Sequence, residues 1–315
     1  MRLPLRQLEA FRAVMEAGSV TEAARALGIS QPAVSKMLQQ AEDHLRFRLF
    51  TRERGRLTPT REARALLPEL LKAFSAMEVV NRLAEDLQGA QAGLLTIAAT
   101  PSLGNSLVPH AIARFHATRP RTRVALRALL NHEVVELVAD HRVDLGVVLI
   151  PAEDSATLAR HLCTADLVCV VPRDHPLARL EAVGPAELQQ YPLVSFSRTL
   201  PIGALIEDAF QRTGLRRRID LEVTQSATAC SLVRAGAGIA VLDAFALMEN
   251  RHPDLAVRPF TPAVRIEARV LLARHRPTSR LTEAFLRVLH EVVADIAAKG
   301  EIYGPGQVVP PLTAS

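Results

Sequence analysis

The side chains best suited to chemistry lie near the N-terminus, where hydroxyl, amide and cationic groups recur at helical spacing. Amide and cationic side chains can hydrogen-bond to the edges of base pairs in the major groove of DNA. The candidate DNA contacts in this stretch are Thr21, Ser30, Gln31, Pro32, Ser35, Lys36 and Gln39. The pattern predicts that the first polar residues of a helix enter the major groove.

A group of arginines follows directly: Arg46, Arg48, Arg52, Arg54, Arg56, Arg61 and Arg64. We predict that Arg52, Arg54 and Arg56 lie in a short loop and contact phosphates or the minor groove. The alternative is a solvated basic surface on an ordinary helical domain. The charge distribution favours DNA, because residues 1–60 hold ten Arg or Lys against six Asp or Glu, while the whole chain has a net charge of +5.

Short helices must position these groups. An apolar face over residues 5–15 predicts a first helix, which Gly18 ends. Ser19 or Thr21 then begins a second helix of small residues, and Gly28 ends that helix. Two helices joined by a short turn that contains glycine are typical of a helix-turn-helix. The arginines after the third helix then form a basic wing, which completes a DNA-binding domain over residues 1–59.

Residues 60–88 have the pattern of a long helix, with apolar residues spaced alternately four and three apart. They are Leu66, Leu70, Ala73, Met77, Val80, Ala84 and Leu87. This repeat is typical of a two-helix coiled coil, so we predict a dimer, with a helix packed on its own domain as the alternative. A second stripe of Leu67, Leu71 and Phe74 is predicted to pack against the helix-turn-helix core.

After a hinge at residues 89–93, strands alternate with helices, which predicts a parallel sheet with helices on both faces. We assign residues 89–300 to this domain. One lobe covers about 93–163 and 265–300, and a second lobe covers about 164–264. The tail at 301–315 is rich in Pro and Gly and is predicted to be disordered.

Polar groups follow three of the predicted strands, where ligands of α/β sheets bind. These candidate effector contacts are Thr100, Pro101 and Ser102, then Ser197, Thr199 and Leu200, then Gln225 and Ser226. Hydroxyl, amide and backbone N–H groups suit a carboxylate or similar anion. The alternative for each single residue is a helix N-cap. Arg198 is either a counter-charge for an anion or a surface arginine.

The N-terminal residues LRQLEAFRAVMEAGSVTEAARALGISQPAVSKMLQQAEDHLRFRLFTR…RLTPT resemble the LysR-type transcriptional regulators, and are most similar to regulators of opine and amino-acid catabolism. DLGV at 144–147 and AGAGIAVL at 235–242 extend the resemblance. It implies a winged helix-turn-helix, a long linker helix and a two-lobed α/β effector domain similar to periplasmic binding proteins. It also implies double-stranded DNA, a small-molecule effector and RNA polymerase as partners, and a homodimer that assembles into a homotetramer.

Four positions depart from that family's pattern. Ala41 and Arg46 stand where Leu and Gly are usual, and Lys36 stands where Arg is common. Asp243 stands where Pro usually follows the GIAVL strand. Arginine adopts a left-handed turn less readily than glycine, so Arg46 puts the turn that leads into the wing in question.

Enzymatic motifs are weak. GAGIAVL leads from a helix into a strand, whereas the dinucleotide fingerprint leads from a strand into a helix. The ten histidines lack a supporting set of metal ligands, so we predict no enzyme, metal or cofactor. The alternatives to a regulator are a solute-binding protein with an appended helical domain and an architectural DNA-binding protein.

The cysteines, Cys163, Cys169 and Cys230, are odd in number and not closely paired, which fits a reducing cytoplasm. A redox pair of Cys163 and Cys169 is the alternative to buried, inert thiols, which we predict. No apolar run approaches the ~18 residues of a membrane span, and the first residues lack a signal-peptide core. We therefore predict a cytoplasmic protein with no membrane contact.

Overall fold

The computed structural model describes residues 3–53, 56–87, 93–150, 154–248 and 253–298 of the chain. The chain divides into two compact units, Met1–Arg82 and Leu83–Ser315. The predicted tail at 301–315 and most of the predicted hinge at 89–93 lie outside the described residues.

The N-terminal unit begins with α1 (Leu5–Ala17), α2 (Val20–Leu27) and α3 (Gln31–Leu45). As predicted, Gly18 and Gly28 end the first two helices, and each adopts the left-handed conformation that glycine permits without strain. Ser19 rather than Thr21 caps α2, because its Oγ accepts a hydrogen bond from the Glu22 N–H at 3.1 Å. The spacing of α1 to α3 is that of a helix-turn-helix.

The wing follows as two antiparallel strands, β1 (Phe50–Glu53) and β2 (Arg56–Pro59), and α4 (Arg61–Leu87) comes next. The prediction that Arg52 and Arg56 lie in a loop is wrong, because the backbone of Arg52 pairs with Leu57 and that of Arg56 pairs with Glu53. The strands extend further toward the tip than the charge pattern suggested. Arg54 lies outside the described residues.

The turn between α3 and the wing forms although it lacks glycine. Arg46 ends α3 in the left-handed conformation, with φ 62° and ψ 25°, and its N–H donates to the carbonyl oxygen of Glu42. A side chain in this region costs about 1–2 kcal/mol. The departure at position 46 therefore leaves the fold unchanged and adds strain.

Replacing Arg46 by glycine is expected to stabilise the N-terminal unit by about 1 kcal/mol, because glycine adopts the same conformation without a Cβ clash. Native-state hydrogen exchange of the α1–α3 amides in the full-length protein measures the change. The control is Gly28→Ala, at φ 65° with open space around the new Cβ, which should cost a similar amount. A glycine at position 46 that lowers the protection of these amides would contradict the assignment of strain.

The C-terminal unit has a first lobe built on a three-stranded parallel segment. Its elements are β3 (Leu94–Ala99), α5 (Pro101–Gly104), α6 (Leu107–Thr118), β4 (Arg123–Ala128), α7 (Asn131–Ala139) and β5 (Leu145–Leu149). The long strand β6 (Thr157–Pro172) leaves this lobe for the second one. Near the end of the chain, β11 (Arg265–Ala273) and α11 (Arg280–Ala298) return to the first lobe.

The second lobe repeats the alternation of strands and helices. Its elements are α8 (Pro185–Leu188), β7 (Leu193–Phe196), α9 (Pro201–Arg212), β8 (Leu221–Val223), α10 (Ser226–Arg234), β9 (Ile239–Asp243) and β10 (Leu255–Pro259). A 3-10 turn at Ala244–Leu247 follows β9 directly. That turn places Asp243 at its start.

The sheet is mixed, which corrects the prediction of a parallel sheet. The strand order is β4-β3-β5-β11-β6-β9-β7-β8, with β10 beside β6. Within each lobe three strands are parallel, but β11 is antiparallel to β5 and β6, and β6 is antiparallel to β9 and β10. The reason is connectivity, because the chain crosses to the second lobe along β6 and returns beside it along β11.

Both faces of the first lobe's sheet are covered, as expected for parallel strands. On one face, α6 and α11 meet through Phe115 and Phe285, whose rings pack edge to face at 5.5 Å. On the other face, α7 contributes Val134 and Val138 to a separate apolar cluster. The polar ends of the strands are thus held on a rigid support.

Candidate functional site

The polar face of α3 is exposed to solvent. Gln31, Pro32, Ser35, Lys36 and Gln39 are all exposed, whereas Val34 and Leu38 on the other side are buried in the core of the unit. Thr21 and Ser30, on α2 and in the turn, are exposed as well. The structure therefore presents all the candidate groups of this helix to a ligand outside the unit.

The two glutamines of this face differ in their hydrogen bonds. Gln31 has only a long contact of 3.5 Å from its Nε2 to the Oγ of Ser35. Gln39 donates to Asp43 at 2.9 Å and accepts from Arg48 at 3.2 Å. Gln31 can turn toward a base edge at little cost, whereas Gln39 would first have to break two hydrogen bonds.

Sequence reasoning missed Glu42, a buried carboxylate that fastens the wing to α3. Its Oε1 accepts from the Leu49 N–H at 2.8 Å and the Phe50 N–H at 3.3 Å. Its Oε2 accepts from Arg48 at 2.7 Å. An acidic residue eight positions before a strand gives no local signal, so only the fold reveals this role. Glu42 sets the position of β1 relative to the exposed face of α3.

The repeat of α4 divides into two parts. Leu66 and Leu70, together with Phe74, pack against the core of α1–α3 in the same chain. This packing is the alternative to a coiled coil for the first part. The predicted stripe is confirmed for Phe74 but not for Leu67 and Leu71, which do not belong to this core. Further along, Ala73 is exposed, as are Met77 and Val80, whose exposed fractions are 42% and 65%. The side chains of Ala84 and Leu87 lie outside the described part of the chain.

Two of the three strand-end clusters meet in the C-terminal unit. The Oγ of Ser102, after β3, donates to Oδ2 of Asp243 at 2.8 Å. The Oγ of Ser226, at the start of α10, donates to the same oxygen at 2.6 Å. Asp243 ends β9, and its Oδ1 accepts from the Ala246 N–H at 3.1 Å. The carboxylate thus joins a residue of the first lobe to residues of the second.

Burial raises the pKa of Asp243 above its ordinary value, while the hydrogen bonds from Ser226, Ser102 and Ala246 oppose that shift. The sequence showed Asp243 as a departure from the family pattern but not as part of a site. The signal was an acidic residue at the carboxyl end of an apolar strand. That position brings its side chain to the edge where the other strand-end groups lie.

The remaining candidate effector residues make no hydrogen bond to Asp243 within the described part of the chain. Thr100 is buried, Pro101 is half-buried, and the exposed Gln225 precedes α10. In the third cluster Thr199 donates to the Oγ of Ser197 at 3.1 Å, and Leu200 precedes α9. No hydrogen bond joins that cluster to Ser102 or Ser226 within the part of the chain that the structure describes.

Arg198 is a surface arginine paired with Glu207, and a surface position was the alternative to a role as counter-charge for an anion. Its Nη2 lies 3.3 Å from Oε1 of Glu207, and most of its side chain is exposed. The other oxygen of Glu207 accepts from Nε of Arg217 at 2.9 Å. Arg217 is buried and also donates to Ser195. Glu207 thus holds one exposed and one buried arginine.

The three cysteines are buried, as predicted for Cys163 and Cys169. Burial raises the pKa of the Cys163 and Cys169 thiols to about 12, and burial together with the charge of Asp243 raises that of Cys230 to about 11. These thiols are therefore protonated and unreactive at neutral pH. Over the described ranges, no group of three or more His, Cys, Asp or Glu could hold a metal ion. None of the described helices is long and apolar enough to cross a bilayer.

The two units match two family models. Residues 5–64 match the model described as "Bacterial regulatory helix-turn-helix protein, lysR family". Residues 88–294 match the model described as "LysR substrate binding domain". Together the two models cover most of the chain, one for each unit.

Relatives of known role extend over nearly the whole chain. The transcriptional activator protein LysR of Escherichia coli (strain K12) is 34% identical over 281 residues, which are 89% of this chain and 90% of that protein. The octopine catabolism/uptake operon regulatory protein OccR of Rhizobium meliloti is 36% identical over 257 residues, which are 82% of this chain and 85% of that protein.

The fold is also similar to that of solved structures. Full-length CbnR, crystallised with its target DNA, superposes with a TM-score of 0.71 at 22% identity, over 93% of this chain and 100% of that one. An identity this low shows a shared fold, in which a helix-turn-helix unit precedes a two-lobed domain.

Proposed function

Because this chain belongs to the LysR family of bacterial transcriptional regulators, we propose that α3 reads its operator DNA and that a small molecule bound between the two lobes controls the response. The chain is a regulator and not an enzyme. Family membership also sets aside the two alternatives, because both parts of the chain match models of one family of regulators.

The observation that carries the proposal for DNA is the exposed polar face of α3. Gln31 lies at the first position of the helix, and Ser35 lies one turn further on the same side. In a helix-turn-helix the N-terminal residues of the recognition helix contact base edges. The wing then carries its arginines toward the DNA backbone, at a position that Glu42 sets.

Replacing Gln31 by alanine is expected to lower affinity for the operator and to relax preference at one base position. A good bidentate contact between an amide and a base is worth about 1–3 kcal/mol. Fluorescence anisotropy with operator and scrambled duplexes, across a series of salt concentrations, measures both effects. An equal loss on both duplexes, with the fold intact, would show that α3 does not read the bases.

Two further variants distinguish contacts to base edges from contacts to the DNA backbone. Gln40 is an exposed glutamine nine residues on, and nine residues turn the helix through about 180°. Gln40→Ala removes the same side chain from the opposite side and should leave base preference unchanged. Arg54→Ala, at a position between β1 and β2 that lies outside the described residues, should weaken binding to every sequence alike. It should also reduce the salt dependence by about one unit for each phosphate that the arginine no longer neutralises.

The exposed part of α4 also bears on how the chain assembles. We expect the exposed part of the α4 repeat, from Ala73 onward, to pair with the same helix of a second chain, because a dimer can read a two-fold operator. The dimer would pair again into a tetramer and act on RNA polymerase in the cytoplasm. The effector would be a carboxylate or an amino-acid-like molecule at the strand-end clusters.

A further inference from the structure

Asp243 is the most unusual charged group at the strand ends. Its carboxylate is only 1% exposed, and it lies where the first and second lobes meet through Ser102 and Ser226. All its hydrogen bonds come from neutral donors, namely two hydroxyls and the Ala246 N–H. Among the described residues, no Lys, Arg or His side chain pairs with it.

A buried charge in a folded protein is usually paired with an opposite charge, because removing it from water is costly. Neutral hydroxyls orient the carboxylate but do not neutralise it. The described contacts of Asp243 therefore do not include a positively charged group. Within the described ranges no side chain supplies that charge, and a cationic ligand between the lobes would supply it.

The cap of the 3-10 turn does not account for this arrangement. A cap needs one carboxylate oxygen, and Oδ1 performs that task by accepting from the Ala246 N–H. The other oxygen, Oδ2, accepts from both serines, one of which belongs to the other lobe. A cap alone would function equally well in an exposed position.

Thr100 is a second group that points to a ligand. Its exposed fraction is only 7%, and its Oγ1 has no hydrogen-bond partner among the described residues. It lies two residues before Ser102, on the same strand end. A buried hydroxyl without a partner is rare in folded proteins, and an ammonium group could donate to it.

We propose that Asp243 is the counter-charge for a positively charged nitrogen of the effector, so that the effector is an amine or guanidine, such as an amino acid, and not a simple carboxylate. This inference rests on the proposed function, in which an effector binds between the lobes. Ser102 and Ser226 then serve to orient the carboxylate. An effector carboxylate placed against these two hydroxyls would face Asp243, and the like charges would repel each other.

The test compares matched ligands on the full-length wild-type protein. The probes are arginine with citrulline, lysine with norleucine, and each of glutamate, alanine and phenylalanine with its 2-hydroxy acid. Thermal shift and calorimetry measure binding. We expect at least one member that carries the additional charged nitrogen to bind about 30-fold or more tightly than the partner that lacks it. Equal binding within every pair, binding of the hydroxy acids alone, or no binding by any probe would overturn the proposal.

A variant then assigns the preference to Asp243. Asp243→Asn keeps the shape and should reduce the difference within the responsive pair to less than about threefold. Asp174→Asn, at an exposed aspartate outside the strand-end clusters, should leave the difference unchanged. An unchanged difference in a folded Asp243→Asn protein would overturn the assignment, and the wild-type comparison decides the ligand class even where the variant does not fold.

A separate measurement tests the proposed function itself: operator binding by the wild-type protein in the absence of any probe. Selective binding to the operator together with a failed ligand comparison would refute only the role of Asp243. Loss of operator selectivity would refute the function itself.

Discussion

Replacing Met77 and Val80 together by aspartate is expected to convert the proposed dimer into a monomer and to weaken operator binding by about 100-fold or more. Both apolar side chains are largely exposed in the single chain. A coiled-coil partner would bury them, so the double variant would place four carboxylates in one apolar seam. Each buried ion costs several kcal/mol, and together they exceed the ~8 kcal/mol of a micromolar dimer.

Sedimentation at micromolar protein concentration reports the oligomeric state, and titration with operator reports the affinity. The loss of affinity follows from avidity, since a monomer contacts only one half-site. The control is Ala65→Asp with Ala76→Asp, which adds the same two charges at exposed positions of α4 that lie off the repeat. An unchanged assembly in the Met77 and Val80 double variant would show that this part of α4 is not the dimer interface.

Replacing Glu207 by glutamine is expected to destabilise the C-terminal unit by about 3 kcal/mol or more. Its carboxylate is the partner of Arg217, whose side chain is 0% exposed and also donates a hydrogen bond to the Ser195 hydroxyl. Burial lowers the pKa of Arg217, and Glu207 opposes that shift. Removing one member of a buried ion pair leaves an uncompensated charge, which costs about 3–5 kcal/mol.

Arg198 provides the matched control, because it pairs with the same carboxylate from the surface. Its side chain is 69% exposed, and Arg198→Ala should change stability by about 0.5 kcal/mol or less. Urea denaturation of the full-length protein, followed by amide exchange in β7 and α9, measures both variants. A cost for Glu207→Gln as small as that for Arg198→Ala would mean that water reaches the guanidinium of Arg217.

Local spacing determined much of the N-terminal unit. The ends of α1 and α2 follow from Gly18 and Gly28, because a left-handed residue stops a helix wherever it occurs. The polar face of α3 follows from the 3.6-residue period, which separates exposed from buried positions without reference to the rest of the chain. The strands and helices of the two lobes were also predictable from local sequence, because buried strands and amphipathic helices have different spacings of apolar residues.

Tertiary structure decided whichever features depend on residues far apart in the chain. Leu66 and Leu70 continue the same repeat as Met77 and Val80, but only packing shows that the first two contact their own domain. The antiparallel strands β6 and β11 follow from a crossing between lobes that no local pattern records. Arg46 adopts a glycine-like turn in which its N–H donates to the carbonyl oxygen of Glu42, while the carboxylate of Glu42 accepts from the Leu49 N–H beyond the turn.

Asp243 shows the same division at the candidate site. The amino-acid sequence predicted that hydroxyl groups follow β3 and stand at the start of α10, because these positions are set within short segments. It did not determine that Ser102 and Asp243, 141 residues apart, share a hydrogen bond. That contact forms only where the two lobes meet, and the burial that raises the pKa of the carboxylate depends on both lobes being folded.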